Sequence, residues 1–477
     1  MLITLRKGTV TVEDKTDWSN KTEALYHYLR RDHRVTLDVL QDMFPDTWDQ
    51  RTIRVVPFVQ RLARSLATLY QRRPTREFLV NGVPPEALNR AADSMYKMIG
   101  FDDKMQSVHE QLVAMNNATL WVWPDNRGGV RLMCIPVHDQ EFKLAVPYGD
   151  DVEDLEAAWV QLPIAKDPAS GIVTHGIAKI TKDTAVWEDG PKGMIGQPLW
   201  GDSPVNPLGR VPVVMLRGSE PSPGEWFAPV PQDLLYAQLA LDLTYTDIGH
   251  IASLQGYGQP VITGVGAAAA TELKLGPESV IGLPDPEMSF DFRHGNPPLA
   301  EYQQAADQYL RSVLAFVGVN PDVFLKTSGA ISSVAKRMDM HERDIERARH
   351  AKMFEKAEQQ AWDLIRLWSN ELRGAGASVY PETEVRVSYH QADPPMDELH
   401  REQAVRMALD AGLTSPAKEL ARREGIPERE AKMQVQENLR AWQQMQAIVA
   451  PDSRVTQGRA PTTEGIAEIP KKPGQVA

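Results

Sequence analysis

Residues 331–373 read ISSVAKRMDMHERDIERARHAKMFEKAEQQAWDLIRLWSNELR, and neither proline nor glycine interrupts them. From Arg337 to His350 nearly every side chain is charged: Arg337, Asp339, His341, Glu342, Arg343, Asp344, Glu346, Arg347, Arg349, His350. From Phe354 onward the texture changes, and Phe354, Ala357, Ala361, Leu364, Ile365, Trp368 and Leu372 recur at helical spacing. The pattern predicts one helix of 43 residues, a rod of roughly 65 Å at 1.5 Å per residue. That is far beyond the usual helix, so it spans several layers of structure. One half belongs to a core, the other to water or a polar interface.

Upstream, the first ~110 residues read as mostly helical. Pro57 suits a first helical position, followed by Phe58, Val59, Leu62, Leu66 and Leu69. Further helices are expected over 85–98 and 102–115. At Asn116 the chain turns to strands: Thr119–Trp123 and Val130–Ile135 flank Pro124-Asp125-Asn126-Arg127-Gly128-Gly129, a strand–turn–strand signature. Strands follow near 142–146, 157–162, 176–180 and 185–187, then a turn at Asn206-Pro207-Leu208-Gly209 and a buried strand over 211–216. A helix over 231–254 ends at Gly256, Gly258 and Pro260; a strand-bearing insert, 260–297, precedes another helix over 299–317. Beyond the long helix come a strand at 385–389 and helices over 397–410, 416–423 and 427–449, with a polar, Pro/Gly/Thr-rich tail from 451 expected to be disordered. The class is α+β and helix-rich.

Composition narrows the function. The chain has 477 residues, enough for roughly three domains. It is 42% hydrophobic and 24% charged, a balance that supports a large core. No apolar run reaches the ~18 residues of a membrane helix, and the start, Met1 to Lys7, is not patterned as a signal peptide. One cysteine, Cys134, excludes an internal disulfide framework and a cysteine-rich zinc site, and fits a reducing compartment. The net charge of −12 argues against a broad basic grip on nucleic acid, though not against a protein that passes it along.

Candidate chemistry is thin. Gly264-Val265-Gly266 after a strand, with Asp285 further on, imitates a dinucleotide fingerprint. Gly276 and Pro277 arrive too soon for a crossover helix, so a loop is the better reading. Ser333-Val334-Ala335-Lys336 matches a serine–lysine nucleophile motif without its companion motifs, and a first-turn serine explains it better. His341-Glu342 lacks the second histidine of a zinc helix, because Ile345 stands there; His341 and His350 read as histidines of a charged face. Asp393–Glu398 reads as an acidic turn capping a helix. No nucleophile, base and orienter assemble, so catalytic residues, metals and cofactors are expected to be none.

The order of segments resembles the portal proteins of long-tailed bacteriophages over about residues 50–450. The phrases that carry it are Asn117–Trp123 with its turn and Ile135-Pro136; Asn206-Pro207-Leu208-Gly209-Arg210-Val211-Pro212-Val213-Val214; Val317-Gly318-Val319-Asn320-Pro321 with Ser328-Gly329-Ala330 and Lys336 entering the long helix; and Ala411-Gly412-Leu413-Thr414-Ser415-Pro416. The stretch Ala330–Ala335 departs from the pattern by spacing its alanine less compactly.

The resemblance implies a ring, usually of twelve copies, at one capsid vertex of a virion assembled in the bacterial cytoplasm. DNA would enter and leave through the ring. Partners would be the terminase large subunit, major capsid and scaffolding proteins, and head-completion or adaptor proteins, with no membrane. Segment by segment it implies a wing (1–230 with 333–396), stem helices (231–258 and 298–319), a clip (259–297), a tunnel loop (320–332), a crown (397–450) and a tail (451–477). Clip docking would involve Lys274, Glu278 with Ser279, Arg293 and His294; the DNA-facing loop would present Lys326, Thr327, Ser328 and Gly329. The loop's only charges are Asp322 and Lys326, few enough for DNA to be released again at each step. A plainer alternative is a helix connection with Lys326 solvated. The long helix carries nine basic and eight acidic side chains from Val334 to Arg373, suiting lateral ion pairs between ring neighbours. Competing readings are another capsid-associated minor head or adaptor protein, and an enzyme using the Gly264 loop or Ser333 with Lys336.

Overall fold

The computed structural model describes residues 15–46, 48–51, 53–125, 129–144, 155–166, 168, 171–221, 226–255, 259–263, 289–293, 299–317, 319, 321, 333–373, 380–390, 398–424, 426 and 428–449. The chain divides into two compact units, residues 1–397 and 398–477. Helix and strand are mixed in the first unit, and the described part of the second is helical.

Five helices open the chain: α1 (Lys15–Leu29), α2 (Arg34–Met43), α3 (Phe58–Leu66), α4 (Glu86–Met98) and α5 (Phe101–Met115). Each buries one stripe at helical spacing. In α4 it is Leu88, Ala92 and Tyr96; in α5 it is Phe101, Met105, Val108, Leu112 and Met115. Gly100 (φ 63°) and Asn116 (φ 61°) bracket α5 in left-handed backbone, the conformation glycine and asparagine tolerate best. The structure adds two departures to the mostly helical reading of this region. Leu69 lies beyond the end of α3, whose last residue is Leu66, and reaches the core from a turn. The segment Thr75–Leu79 is a strand, β1, whose partner lies more than 300 residues away.

Strand β2 (Asn117–Pro124) is the hinge of the fold. It lies between β3 (Val130–Met133) and, after β4 to β7, the antiparallel β8 (Val213–Arg217). Seven of its eight residues are buried, because both faces are covered. Ala118, Leu120 and Val122 face one core with α5 and the long helix; Trp121 and Trp123 face another with the second sheet. That second sheet is a meander of β4 (Gln140–Leu144), β5 (Leu155–Lys166), β6 (Val173–Thr181) and β7 (Ala185–Asp189). The Asn206 turn is a real fixture: its amide nitrogen donates to the Thr181 and Arg210 carbonyls at 2.7 and 2.9 Å, and Gly209 takes φ 64°.

Helix α6 (Gln232–Gln255), strands β9 (Gln259–Thr263) and β10 (Ser289–Arg293), and helix α7 (Leu299–Phe316) follow in order. The long helix, α8, covers Ser333–Arg373, 41 residues. Its inner half supplies Phe354, Ala357, Ala361, Trp362, Leu364, Ile365 and Trp368 to the core shared with α4, α5 and β2. Trp362 lies off the expected stripe, so the helix is covered on more than one face. β11 (Glu384–Ser388) then returns antiparallel to β1, from Thr75↔Ser388 to Leu79↔Glu384.

The second unit holds α9 (Glu398–Asp410), α10 (Pro416–Glu424) and α11 (Glu428–Val449). The phrase Ala411–Pro416 is a stop-and-start signal. Gly412 (φ 68°) closes α9, with Leu413 N–H bonded to the Ala408 carbonyl at 2.9 Å. The Ser415 hydroxyl then accepts from Lys418 N–H at 3.2 Å, and Pro416 opens α10.

Candidate functional site

Helices α6 and α7 pack together, and the strands between them pair antiparallel from Gln259↔Arg293 to Thr263↔Ser289. That pairing brings the end of α6 beside the start of α7, so the two helices form an antiparallel stalk carrying a strand tip. Arg293 closes the register opposite Gln259. Lys274, Glu278, Ser279 and His294 lie outside the described residues, as do Lys326, Thr327, Ser328 and Gly329 of the loop. The Gly264 loop lies outside them too. The strand before it pairs antiparallel with β10, which is not the parallel crossover a dinucleotide fold requires. Ser333 is the first residue of α8.

The stalk is rooted by α6. Leu234, Leu235, Ala237 and Leu241 pack with α1, α3 and the Leu310 and Leu314 stripe of α7. Gln238, Asp242 and Thr246 recur every four residues on this same helix and are all fully buried. They bond to an irregular strap, residues 53–57, and to Val59 in the first turn of α3. Asp242 accepts from Val56 N–H at 2.8 Å and the Thr36 hydroxyl at 2.9 Å, with His33 Nδ1 at 3.3 Å. Gln238 accepts from Val59 N–H at 3.0 Å and donates to the Val56 carbonyl at 2.6 Å. Thr246 accepts from Arg54 N–H at 3.0 Å. Burial pushes the Asp242 carboxyl up from its ordinary value, and these donors pull it back only in part.

α7 is the outer member. It buries Ala306, Leu310 and Leu314, while Tyr302 and Tyr309 remain exposed. The Tyr245 hydroxyl of α6 is hydrogen-bonded to Asp307 of α7; burial first, then that carboxylate, raises its pKa. The stalk is a packed mechanical element whose outer face is polar.

The long helix is held by a second buried cluster. Glu358 accepts from the Tyr70 hydroxyl at 2.8 Å and from Arg76 Nη2 at 2.9 Å, and Arg76 also reaches Asp102. The Tyr389 hydroxyl sits 3.1 Å from that of Tyr70. Burial works against the Arg76 charge, but Glu358 and Asp102 outweigh it and hold the guanidinium above its ordinary range. Nearer the helix start, His350 Nδ1 lies 3.0 Å from His109 Nε2. His350, read from the sequence as a histidine of a charged face, is thus partly covered by α5. The His341 side chain is outside the described residues.

Reading residue by residue missed both anchors. The four-residue recurrence of Gln238, Asp242 and Thr246 within an apolar helix was a usable signal. Arg76 with Glu358 left none, because their meeting depends on the β1–β11 pairing. Among the described residues no group of three or more His, Cys, Asp or Glu is placed to hold a metal, and no helix is long and apolar enough to cross a membrane.

No family model and no curated protein sequence matches this chain. Among solved structures it is similar to a chain of the virion of a native gene transfer agent particle, at 13% identity and TM-score 0.38, over 77% of this chain and 88% of that one. It is also similar to a chain of the neck of an empty gene transfer agent particle in C6 symmetry, at 12% identity and TM-score 0.39, over 85% and 94%. A chain of the neck of the native particle in C12 symmetry gives 12% identity and TM-score 0.38, over 77% and 90%.

Proposed function

We propose that this chain is the ring-forming portal subunit of a tailed-phage-like particle, a conduit for DNA packaging and ejection with no catalysis of its own. The observation that carries this reading is the α6–α7 stalk with its β9–β10 tip. An insert mounted on two packed helices, rooted by Gln238, Asp242 and Thr246, is a device for presenting a docking surface away from a core. In this reading the tip meets the terminase and later the head-completion proteins. Residues 320–332 face the channel, about twelve copies close the ring, and residues 397–450 form its crown.

The charge balance supports the conduit. Each phosphate neutralised by Lys or Arg strengthens binding and must be undone for DNA to advance. A chain at net −12 avoids that trap, and Lys326 offers a single reversible contact.

Negative-stain imaging and mass photometry of the purified full chain test the reading. The expected particle is a hollow ring of about a dozen copies. A protein that stays monomeric at micromolar concentration and forms no ring inside particles overturns it; a ring without a central channel points instead to an adaptor. In packaging particles, Lys326→Glu should slow DNA entry while rings still form and terminase still binds. Packaging at the unaltered rate and density would remove Lys326 from the channel contact.

A further inference from the structure

The long helix leaves the core over about two turns. Phe354 is fully buried, whereas Asp344, Ile345 and Glu346 are exposed. Between them three side chains tie the helix to three different elements. Arg347 donates to the His390 carbonyl just past β11, Arg349 donates to the Gly218 carbonyl just past β8, and His350 meets His109 of α5. The first two donors are permanent cations. Only the third tie is built from imidazoles, which outside the fold change charge near neutrality.

The two imidazoles constrain each other. His109 is fully buried, its ring 4.7 Å from that of Phe354, and its Nδ1 has no hydrogen-bond partner. A buried bare lone pair is tolerated better than a buried unpaired N–H. The neutral arrangement is therefore His109 Nε2–H donating to His350 Nδ1, with the His350 proton on Nε2. A proton added to the pair forces an unpaired N–H onto His109 Nδ1 or sets two N–H groups face to face. No carboxylate is hydrogen-bonded to either ring among the described residues. The facing charges are Arg347, Arg349 and Glu346 on the long helix. On α5, Glu110 turns instead toward Arg64 and Gln106; at the end of β8, Arg217 lies over Trp226; and beyond β11, His390 gives its carbonyl to Arg347.

We propose that the His109–His350 pair is an acid-operated latch at the point where the long helix emerges, letting the turn Arg347–His350 come off α5, and the outer arm, Ser333–Glu346, move with it, as the pair takes up protons. The direction of its titration agrees. Burial, then His350 and Arg347, holds His109 well below the ordinary histidine range, and burial lowers His350. A released imidazole titrates near 6.5. The latch is at full strength above that value and weakens as pH falls below it, by about tenfold in the opening equilibrium per pH unit for each proton gained. The apolar side chains of Phe354, Ala361, Leu364 and Trp368 carry no titratable group and stay docked in the core. The arm thus moves while the helix remains rooted, independently of the function proposed above.

Hydrogen–deuterium exchange on the full chain at pH 7.5 and 5.5, corrected for intrinsic exchange chemistry, tests this. Peptides covering 333–350 should lose protection by tenfold or more at pH 5.5, while those covering 354–373 keep theirs. In His350→Gln, whose amide can still bond His109 but does not titrate, the pH response should shrink to that of His109 alone and protection at pH 7.5 should persist. If that variant is already open at pH 7.5, His109→Gln takes its place with the same two outcomes. Equal arm protection at both pH values in the unaltered protein overturns the latch. So does an undiminished response in the non-titrating variant.

Discussion

Helix α6 turns Gln238, Asp242 and Thr246 toward main chain, whereas the inner half of α8 turns Glu358 toward the side chains of Arg76, Tyr70 and Tyr389. Each cluster centres on a fully buried carboxylate, yet they do different jobs. The partners of α6 are mostly backbone N–H and C=O groups of the strap and the first turn of α3, about 180 to 190 positions away, joined at Asp242 by the Thr36 hydroxyl and His33. Such groups are present whatever the strap's side chains are, so the anchor sets register along the helix axis. The Glu358 cluster is an ion pair in a closed core, contributing little net stability when intact and costing much when half is removed. One anchor positions the stalk; the other commits the long helix to a single seat.

Glu358→Ala should break the comparison most visibly. It leaves Arg76, whose side chain is only 5% exposed, with Asp102 as its one remaining carboxylate among the described residues, and should cost up to about 3–5 kcal/mol in chemical denaturation. The paired replacement Arg76→Met with Glu358→Leu should recover most of that loss, because no charge is left stranded. A double variant as unstable as the single one would show that the cluster stabilises the fold outright.

Asp242→Ala should cost less, about 1–3 kcal/mol, by leaving Val56 N–H unsatisfied and the Thr36 hydroxyl with only Tyr28 to bond. Exchange should rise in residues 53–57 rather than across the unit. The pH signs of the two regions are opposed. Because burial raises the Asp242 carboxyl above its unfolded value, its contribution is full below the unfolded value and declines as pH rises through the folded one. Asp242→Asn, which keeps an acceptor for Val56, should therefore improve relative to the unaltered protein as pH rises above the ordinary carboxylate range. At His109 the shift is downward, and acid weakens the seat instead. A parallel pH response at both sites would end the distinction.

The smallest effect belongs to Gly249 on α6. A Cβ there would come within 2.6 Å of Arg54 Nε, the movable end of a long side chain. Alanine's helix preference, about 1 kcal/mol over glycine, should offset the displacement, leaving Gly249→Ala within about 1 kcal/mol of the parent by thermal unfolding. A larger loss would mean that Arg54 is fixed by the strap rather than free to swing.

Local order was legible in the residues. Phe354, Ala361, Leu364 and Trp368 announced their helix through spacing, Gly412 and Pro416 announced a stop and a start, and Asn206 with Gly209 announced a turn. Each signal depends on neighbours within four residues, where backbone geometry alone sets which side chains share a face. The stalk was legible in the same way, since glycine and proline punctuate both ends of 260–297. Its root was not, because Asp242 takes its meaning from Val56 and Thr36, which reach it only when α2, α3 and α6 pack.

The sequence by itself determined the class, the order of elements and the long helix with its charged and apolar halves, because periodicity and turn chemistry are local. Tertiary structure alone decided that Thr75–Leu79 is a strand, that Glu358 pairs with Arg76, and that His350 meets His109. Each of these joins residues 240 or more positions apart. A strand of five residues, Thr75–Leu79, carries too little pattern to declare itself, and its identity comes from the edge it pairs with. A charged or titratable side chain declares even less, since whether it is solvated, paired or buried is settled by what the rest of the chain brings to it.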